Sequence, residues 1–505
     1  MGRPDYAPRA PLCLLFDDPE AALRRLREGD IDALEGAHDQ LTDLHLLYAL
    51  KSGLLAHCAA GFPDPRLAPE IPVLVLLAAS VAGAFQGEYA LCQTGCALHS
   101  PALLAELGLN VQWLRAGAGL SRRGTQAGTP FHPDTLRKLL QQLAREDQAA
   151  GHTPGTSLLT WWNQTVGPAF LQHADGGLGV WLLDATKLLV NLKNPRYEGS
   201  STGKDTDGKP IRGYKLGLLS RLIGEGRLLI RIGWDAVRAG DATVAWPLVQ
   251  RDPPLGRGDT LLHDRGLIHG ETVTCLKQDL GIEVVFPLPR SYLAYRLAVS
   301  QARRHPQRWQ PHPTRQRQEI QGVAQVEAPW EACQTPLRGC VVRQHDPEHR
   351  DAAEDGYCYW VFVSTQAGHT AKQIIQTYET RSECEEDHRQ TKGANWEMDE
   401  FTSTSLVEII YHVLMVLFAY NLCQLYGLTE AGQRFAGQTK RARARELRRD
   451  RRRWMVVVAA PYYAVLPEWQ VLEVLLEAEG EAKERLRAVV ARVKGWATAG
   501  RERVG

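Results

Sequence analysis

From Gly179 to Pro287 the chain stops following a helical period and breaks into short apolar runs bounded by Gly or charge. Val180-Trp-Leu-Leu-Asp184, Lys215 to Ile223 and Arg227 to Trp234 read as three successive strands. A helix over Asp241 to Gln250, a strand Thr260-Leu-Leu-His-Asp264, a helix Gly270 to Leu280 and a strand Ile282 to Pro287 then alternate. The pattern is three strands followed by alternating helices and strands. It predicts an α/β fold with a mixed sheet covered by helices on both faces.

The flanks differ. Residues 1–150 carry apolar spacings near 3.6 over Asp17 to Arg27, Asp32 to Ala56, Ile71 to Phe85, Ser100 to Leu107 and His132 to Glu146, which predict a helical N-terminal domain. Residues 290–356 are rich in Pro, Gln and Arg without a helical period, and have strand-like runs at Glu319 to Val326 and Arg338 to Arg343, so they read as inserted. The sheet resumes at Tyr357 to Val363, and a long polar helix is expected from about Thr370 to Lys392. The core is thus expected over 179–289 and 357–400, and residues 401–505 as a helical C-terminal region with a basic segment at 440–453.

With 505 residues, 59 Lys+Arg and 58 Asp+Glu, the chain is long enough for about three units, and its formal charge of +1 excludes a protein basic throughout. Any nucleic-acid affinity must come from local patches. Ten scattered cysteines predict a reducing cytoplasm, and the first apolar stretch, Pro11 to Phe16, is too short for a secretion signal. Ile71 to Phe85 is short of a membrane span and Leu406 to Leu428 carries Glu408, His412, Asn421 and Gln424, so both are expected as buried helices with no membrane partner. Cys92, Cys96 and His99 lack a second ligand pair and are expected in the core rather than on zinc.

On the polar helix Tyr378, Arg381, Glu385 and Lys392 fall within roughly a 60° arc at about 100° per residue, whereas Glu379, Glu383, Glu386 and Asp387 fall elsewhere. Asp184 and Asp264 each end an apolar run, and strand ends of open α/β sheets are where ligands meet the scaffold. Three carboxylates gathered in one cleft stay ionised only beside cations, and oxygen donors favour Mg²⁺ or Mn²⁺ over zinc. Paired ions of that kind suit in-line phosphoryl transfer. Asp235, after the third strand, and Asp205 and Asp207, in the loop before Lys215, are rivals that the spacing leaves open.

Asp184 in Leu-Leu-Asp-Ala-Thr, Asp264 in His-Asp-Arg-Gly-Leu and the spacing Tyr378, Arg381, Glu385, Lys392 together resemble the DDE transposases of insertion-sequence family four, over about residues 179 to 400. Leu267 departs from the pattern, which often has an aromatic residue there. The resemblance implies a ribonuclease-H-like core and a β-rich insertion domain at 290–356. It further implies that Asp184, Asp264 and Glu385 are catalytic and hold two Mg²⁺, for which Mn²⁺ can substitute. Arg381 and Lys392 would then contact DNA near the cleaved phosphate, and Tyr378 would help hold an unstacked nucleotide. The expected substrate is double-stranded DNA, as terminal inverted repeats and target, cut and joined by a homodimer in a synaptic complex. A nuclease on the same core that does not join DNA, and a catalytically silent DNA-binding descendant, are the alternatives.

Basic clusters supply candidate DNA contacts. Residues 440–453 hold nine Lys+Arg against Glu446 and Asp450. Residues 301–318 hold Arg303, Arg304, Arg308, Arg315 and Arg317 with Trp309 and no acid before Gln318. Lys187, Lys193, Arg196, Lys204, Lys209 and Arg212 follow Asp184, and Arg265 follows Asp264. In the N-terminal domain Arg122 and Arg123 precede the helix from His132, a further candidate for reading DNA sequence.

Overall fold

A computed structural model describes residues 16–39, 41–67, 69–87, 90, 91, 94, 98, 101–108, 131, 132, 134–174, 179–205, 207–224, 226–250, 252–326, 332–349, 351–381, 391, 392, 396–433 and 452–490. The chain divides into two units, one of residues 159–393 and 399–406, the other of 1–158, 394–398 and 407–505.

The first of these holds a ten-stranded mixed sheet. Its centre is β1 (Val180–Val190), flanked by the antiparallel pair β2 (Pro210–Ile223) and β3 (Gly226–Ala236) on one side. On the other side lie β4 (Thr260–His263) and β5 (Glu283–Leu288), both parallel to the strand before them. The spatial order β3-β2-β1-β4-β5 is that of a ribonuclease-H-like core. Burial on both faces explains why these strands are almost continuously apolar. Helix α1 (Asp241–Ala245) covers one face closely: Gly217 and Gly233 lack the Cβ that would meet the Val244 carbonyl oxygen at 2.5 and 2.4 Å. The helix expected over Asp241 to Gln250 is realised as two short pieces, broken at Trp246-Pro247. Helix α2 (Gly270–Gln278) links β4 to β5.

The segment expected as an insertion contains a helix, α3 (Leu293–Arg303), that the sequence reading missed. Its buried face is Ala294, Ala298 and Ala302 with Tyr295, so the period is carried by small residues that do not stand out as apolar. The following strands, β6 (Gln318–Val323), β7 (Arg338–His345) and β8 (Tyr357–Ser364), agree with the expected runs. They form no sheet of their own. β8 pairs antiparallel with β5, β7 with β8 and β6 with β7, extending the core sheet. Helix α4 (Ala371–Glu379) then packs back onto it, with Ile374 and Ile375 against Leu182, Leu262 and Val285.

The second unit corrects the helical reading of both flanks. Ala33–Asp39, expected within a helix, is a strand paired antiparallel with Arg452–Ala459, which in turn pairs with Tyr462–Pro467. Leu26, Leu34, Met455, Val457, Leu466 and Val471 form one core, so the two ends of the chain make a single unit rather than two helical domains. Pairing with a segment more than four hundred residues away decides the conformation of 33–39, and no local period reveals it. Val73–Gln86 is a 14-residue helix, and Leu406–Leu428 is a 23-residue helix apolar enough to cross a membrane, whose most apolar window is 89% buried. Cys92, Cys96, His99, Arg122, Arg123 and residues 440–451 lie outside the described residues.

Candidate active site

Asp184 does not end its strand. β1 runs on to Val190, whereas its parallel neighbour β4 stops at His263, opposite Leu183. Asp184 therefore stands where β4 has left the ladder and Asp264 takes its place beside it. Residues level on paired strands share a face, so Asp184 continues the face of Leu182 and Asp264 that of Leu262, the face on which α4 packs. Asp264 then caps a turn of 3₁₀ helix, its Oδ1 accepting the Arg265 N–H at 2.6 Å.

The polar helix begins as its sequence predicts, with Thr370 and Gln373 forming a capping box. It ends earlier: the C-cap is Thr380, so Arg381 lies past the helix and the single-face arc does not extend to it. The turn brings Arg381 to the same place by another route. Its Nη2 lies 3.4 Å from Asp184 Oδ1 and 3.5 Å from Asp264 Oδ2, with the side chain only 10% exposed. One guanidinium thus lies against both carboxylates and offsets part of their charge. Glu385, with Glu383, Glu386 and Asp387, lies outside the described residues.

Tyr378 accepts a hydrogen bond from Arg381, and burial pushes its hydroxyl up to about 12, with Asp264 and Asp184 adding to the shift. Its ring packs on Phe362 with centroids 4.7 Å apart. Lys392 donates to the Thr186 hydroxyl and, at 2.7 Å, to the Lys187 carbonyl. Thr186 is two residues beyond Asp184 on the same face, so Lys392 places a second cation beside the aspartates. Burial lowers its affinity for a proton, and Asp399 and Asp184 oppose that shift.

His263 was not singled out from the sequence. It is fully buried on the opposite face, stacked on Phe286 at 4.8 Å and edge-on to Trp246 at 5.2 Å. Its Nδ1 donates to the Asp264 carbonyl at 2.9 Å, and burial drives its pKa down to about 4, so the ring is neutral and braces the backbone carrying the carboxylate. Only its position before Asp264 could have signalled this.

The register also sorts the rival acids. Asp184 pairs with Leu218 and Leu218 with Ile232, whereas Asp235 pairs with Lys215 and Lys215 with Lys187. Asp235 and Lys187 therefore face away from Asp184, because neighbours along a strand alternate faces. Lys187 Nζ accordingly donates to the Lys204 carbonyl, and only its backbone oxygen enters the site. Asp205 accepts from the Asp207 and Lys209 N–H groups and holds a hairpin between Ser201–Lys204 and β2. Arg265 is exposed next to Asp264. Glu379, off the expected arc, is held by Thr314 at 2.9 Å and Arg315 at 3.0 Å. Trp309 lies under the Arg343 guanidinium at 4.1 Å.

The donor set suits a hard divalent cation: two carboxylate groups on one face already hold a positive group between them. Among the described residues no cluster of three or more metal-ligating side chains occurs, and Glu385 is outside that set.

Residues 175–422 match the family model described as the transposase DDE domain. The match covers β1 to β8, both aspartates, Tyr378, Arg381 and Lys392, and it supports a DDE transposase, a metal-dependent nucleic-acid enzyme. A search of curated proteins finds no match.

Proposed function

We propose that this chain, with a transposase DDE domain at its centre, cuts the ends of an insertion sequence and joins them to target DNA. The observation that carries the reading is the placement of Asp184 and Asp264 side by side on one face, within reach of a single guanidinium, inside the matched segment. DDE transposases generally use divalent ions. Asp184, Asp264 and Glu385 are the residues that would hold two Mg²⁺ here, with Mn²⁺ as a substitute. Such ions, when bound, activate the attacking oxygen and stabilise the leaving one.

The chain's own groups do the rest. Arg381 offers several N–H donors, and those it turns to a phosphodiester neutralise oxygens that gain charge in the transition state. Lys392, fixed by Thr186 and the Lys187 carbonyl, supplies a point charge on the Asp184 side. The Tyr378 hydroxyl, protonated at any physiological pH, holds Arg381 in place as an acceptor. Since these groups recognise the phosphate and not the attacking oxygen, one site serves hydrolysis and strand transfer. Synapsis of two ends requires a homodimer on this reading, working in the cytoplasm on terminal inverted repeats.

The test is incubation of the purified full chain with Mg²⁺, DNA carrying the ends of its own element and a target plasmid. Joined product is expected. Cleaved ends without joining would instead indicate a nuclease, and binding without cleavage a silent descendant.

A further inference from the structure

Helix α3 and the turn after β5 carry a second concentration of positive charge, built from residues other than those around Asp184. A cleft of about 570 Å³ is lined by Arg290, Arg296, Arg303 and Arg304, with Asp351 and Tyr359. Two of the arginines are tied down. Arg290 pairs with Asp351 at 3.1 Å, and Arg303 pairs with Asp355 at 2.8 Å while lying over the Tyr359 ring at 5.9 Å. The other two, Arg296 and Arg304, are exposed and have no acidic partner among the described residues.

The helix itself is fixed. Its alanine face lies on the sheet, and the Tyr295 hydroxyl donates to the Tyr359 carbonyl at 2.7 Å. Arg296 and Arg304, the C-cap, are eight residues apart, with a rise of about 12 Å. That distance spans about three phosphates of one DNA strand. Guanidinium groups held together in a cleft repel one another, and an arriving phosphate relieves the repulsion while accepting bidentate hydrogen bonds.

From this we infer that the α3 cleft grips the phosphodiester backbone of the DNA substrate, with Arg296 and Arg304 as its free contacts. The inference rests on the transposase reading and adds to it a surface that positions DNA without reading sequence.

The experiment measures binding of the full chain to a duplex of arbitrary sequence over a range of NaCl concentrations, with Ca²⁺ in place of Mg²⁺. The variant R296A/R304A removes two exposed side chains and should keep the wild-type melting temperature. Loss of two phosphate contacts should flatten the slope of log affinity against log salt by about 1.8 and weaken binding roughly 30-fold near physiological salt. R296K/R304K should keep the slope. An unchanged slope in the alanine variant, with wild-type binding intact, overturns the cleft alone. Absence of salt-dependent binding by the wild type overturns the transposase reading and the cleft with it. A deoxynucleoside monophosphate that displaces the duplex from wild type but not from R296A/R304A would show a nucleotide pocket and overturn the backbone assignment.

Discussion

Asp184, within β1, and Asp264, one residue past the end of β4, are far apart in the chain but stand side by side, because the parallel register pairs Leu183 with His263 just before them. Two carboxylates so placed repel, and the Arg381 guanidinium, 3.4 and 3.5 Å from them, offsets part of that repulsion.

Replacing either acid should therefore separate chemistry from folding. D184N and D264N are each expected to lower DNA cleavage in Mg²⁺ about 100-fold or more, since even the outer-shell partners of metal ligands are worth roughly 10- to 100-fold, with duplex binding in Ca²⁺ within a few-fold of wild type. Initial cleavage rates of the two variants check this, and full activity in either removes that residue from the site.

Asp235 provides the opposite expectation. Its register places it on the other face, so D235N should cleave at the wild-type rate. A loss comparable to that of D184N would show that the face assignment is wrong.

On the proposed reading Arg381 is a counter-ion whose place a divalent cation takes. In R381A the two aspartates lose the cation that touches both, which should cost about 2 kcal/mol after allowance for the 41% exposure of Asp264. Added Mg²⁺ should recover much of that loss, since binding to the native state stabilises it. Thermal unfolding with and without Mg²⁺ reads the difference, and a deficit unaffected by the metal counts against a shared cation position.

His263 makes stability depend on pH. Its folded pKa, about 4, lies below the ordinary 6.5, so the neutral ring contributes stability that is full above pH 6.5 and is lost as pH falls toward 4. The amount at stake is about 3 kcal/mol by linkage. H263F should unfold with a flatter acid dependence than wild type between those values, measured by urea denaturation at fixed pH steps. Identical slopes would mean that the ring charges without cost.

Asp259 ties the start of β1 to the loop before β4, accepting the Gly179 N–H at 2.6 Å, the Trp181 Nε1–H at 2.8 Å and the Gly256 N–H at 2.8 Å. D259A leaves buried donors unpaired and should cost about 3 kcal/mol, seen as a lower melting temperature. Because β1 carries Asp184, cleavage at a temperature where the variant remains folded should also fall.

How much could be read in advance depends on the range of the interaction concerned. The strands from 180 to 288 were legible because burial on both faces demands uninterrupted apolar runs, and Thr370 was legible as a helix start because capping is local. Helix α3 was hidden by its alanines, and the strand Ala33–Asp39 by its dependence on Arg452–Ala459. At the site, the residue types and their order were in the sequence, whereas the choice between Asp184 and Asp235 was not, since spacing along a chain does not state which face a strand turns to its neighbours. Side-chain chemistry belongs to each residue by itself and needs no partner to be recognised. Register, the early end of α4 that sends Arg381 between two acids, and the neutral state of His263 arise only when distant segments exclude water from one another, and those the tertiary structure decided.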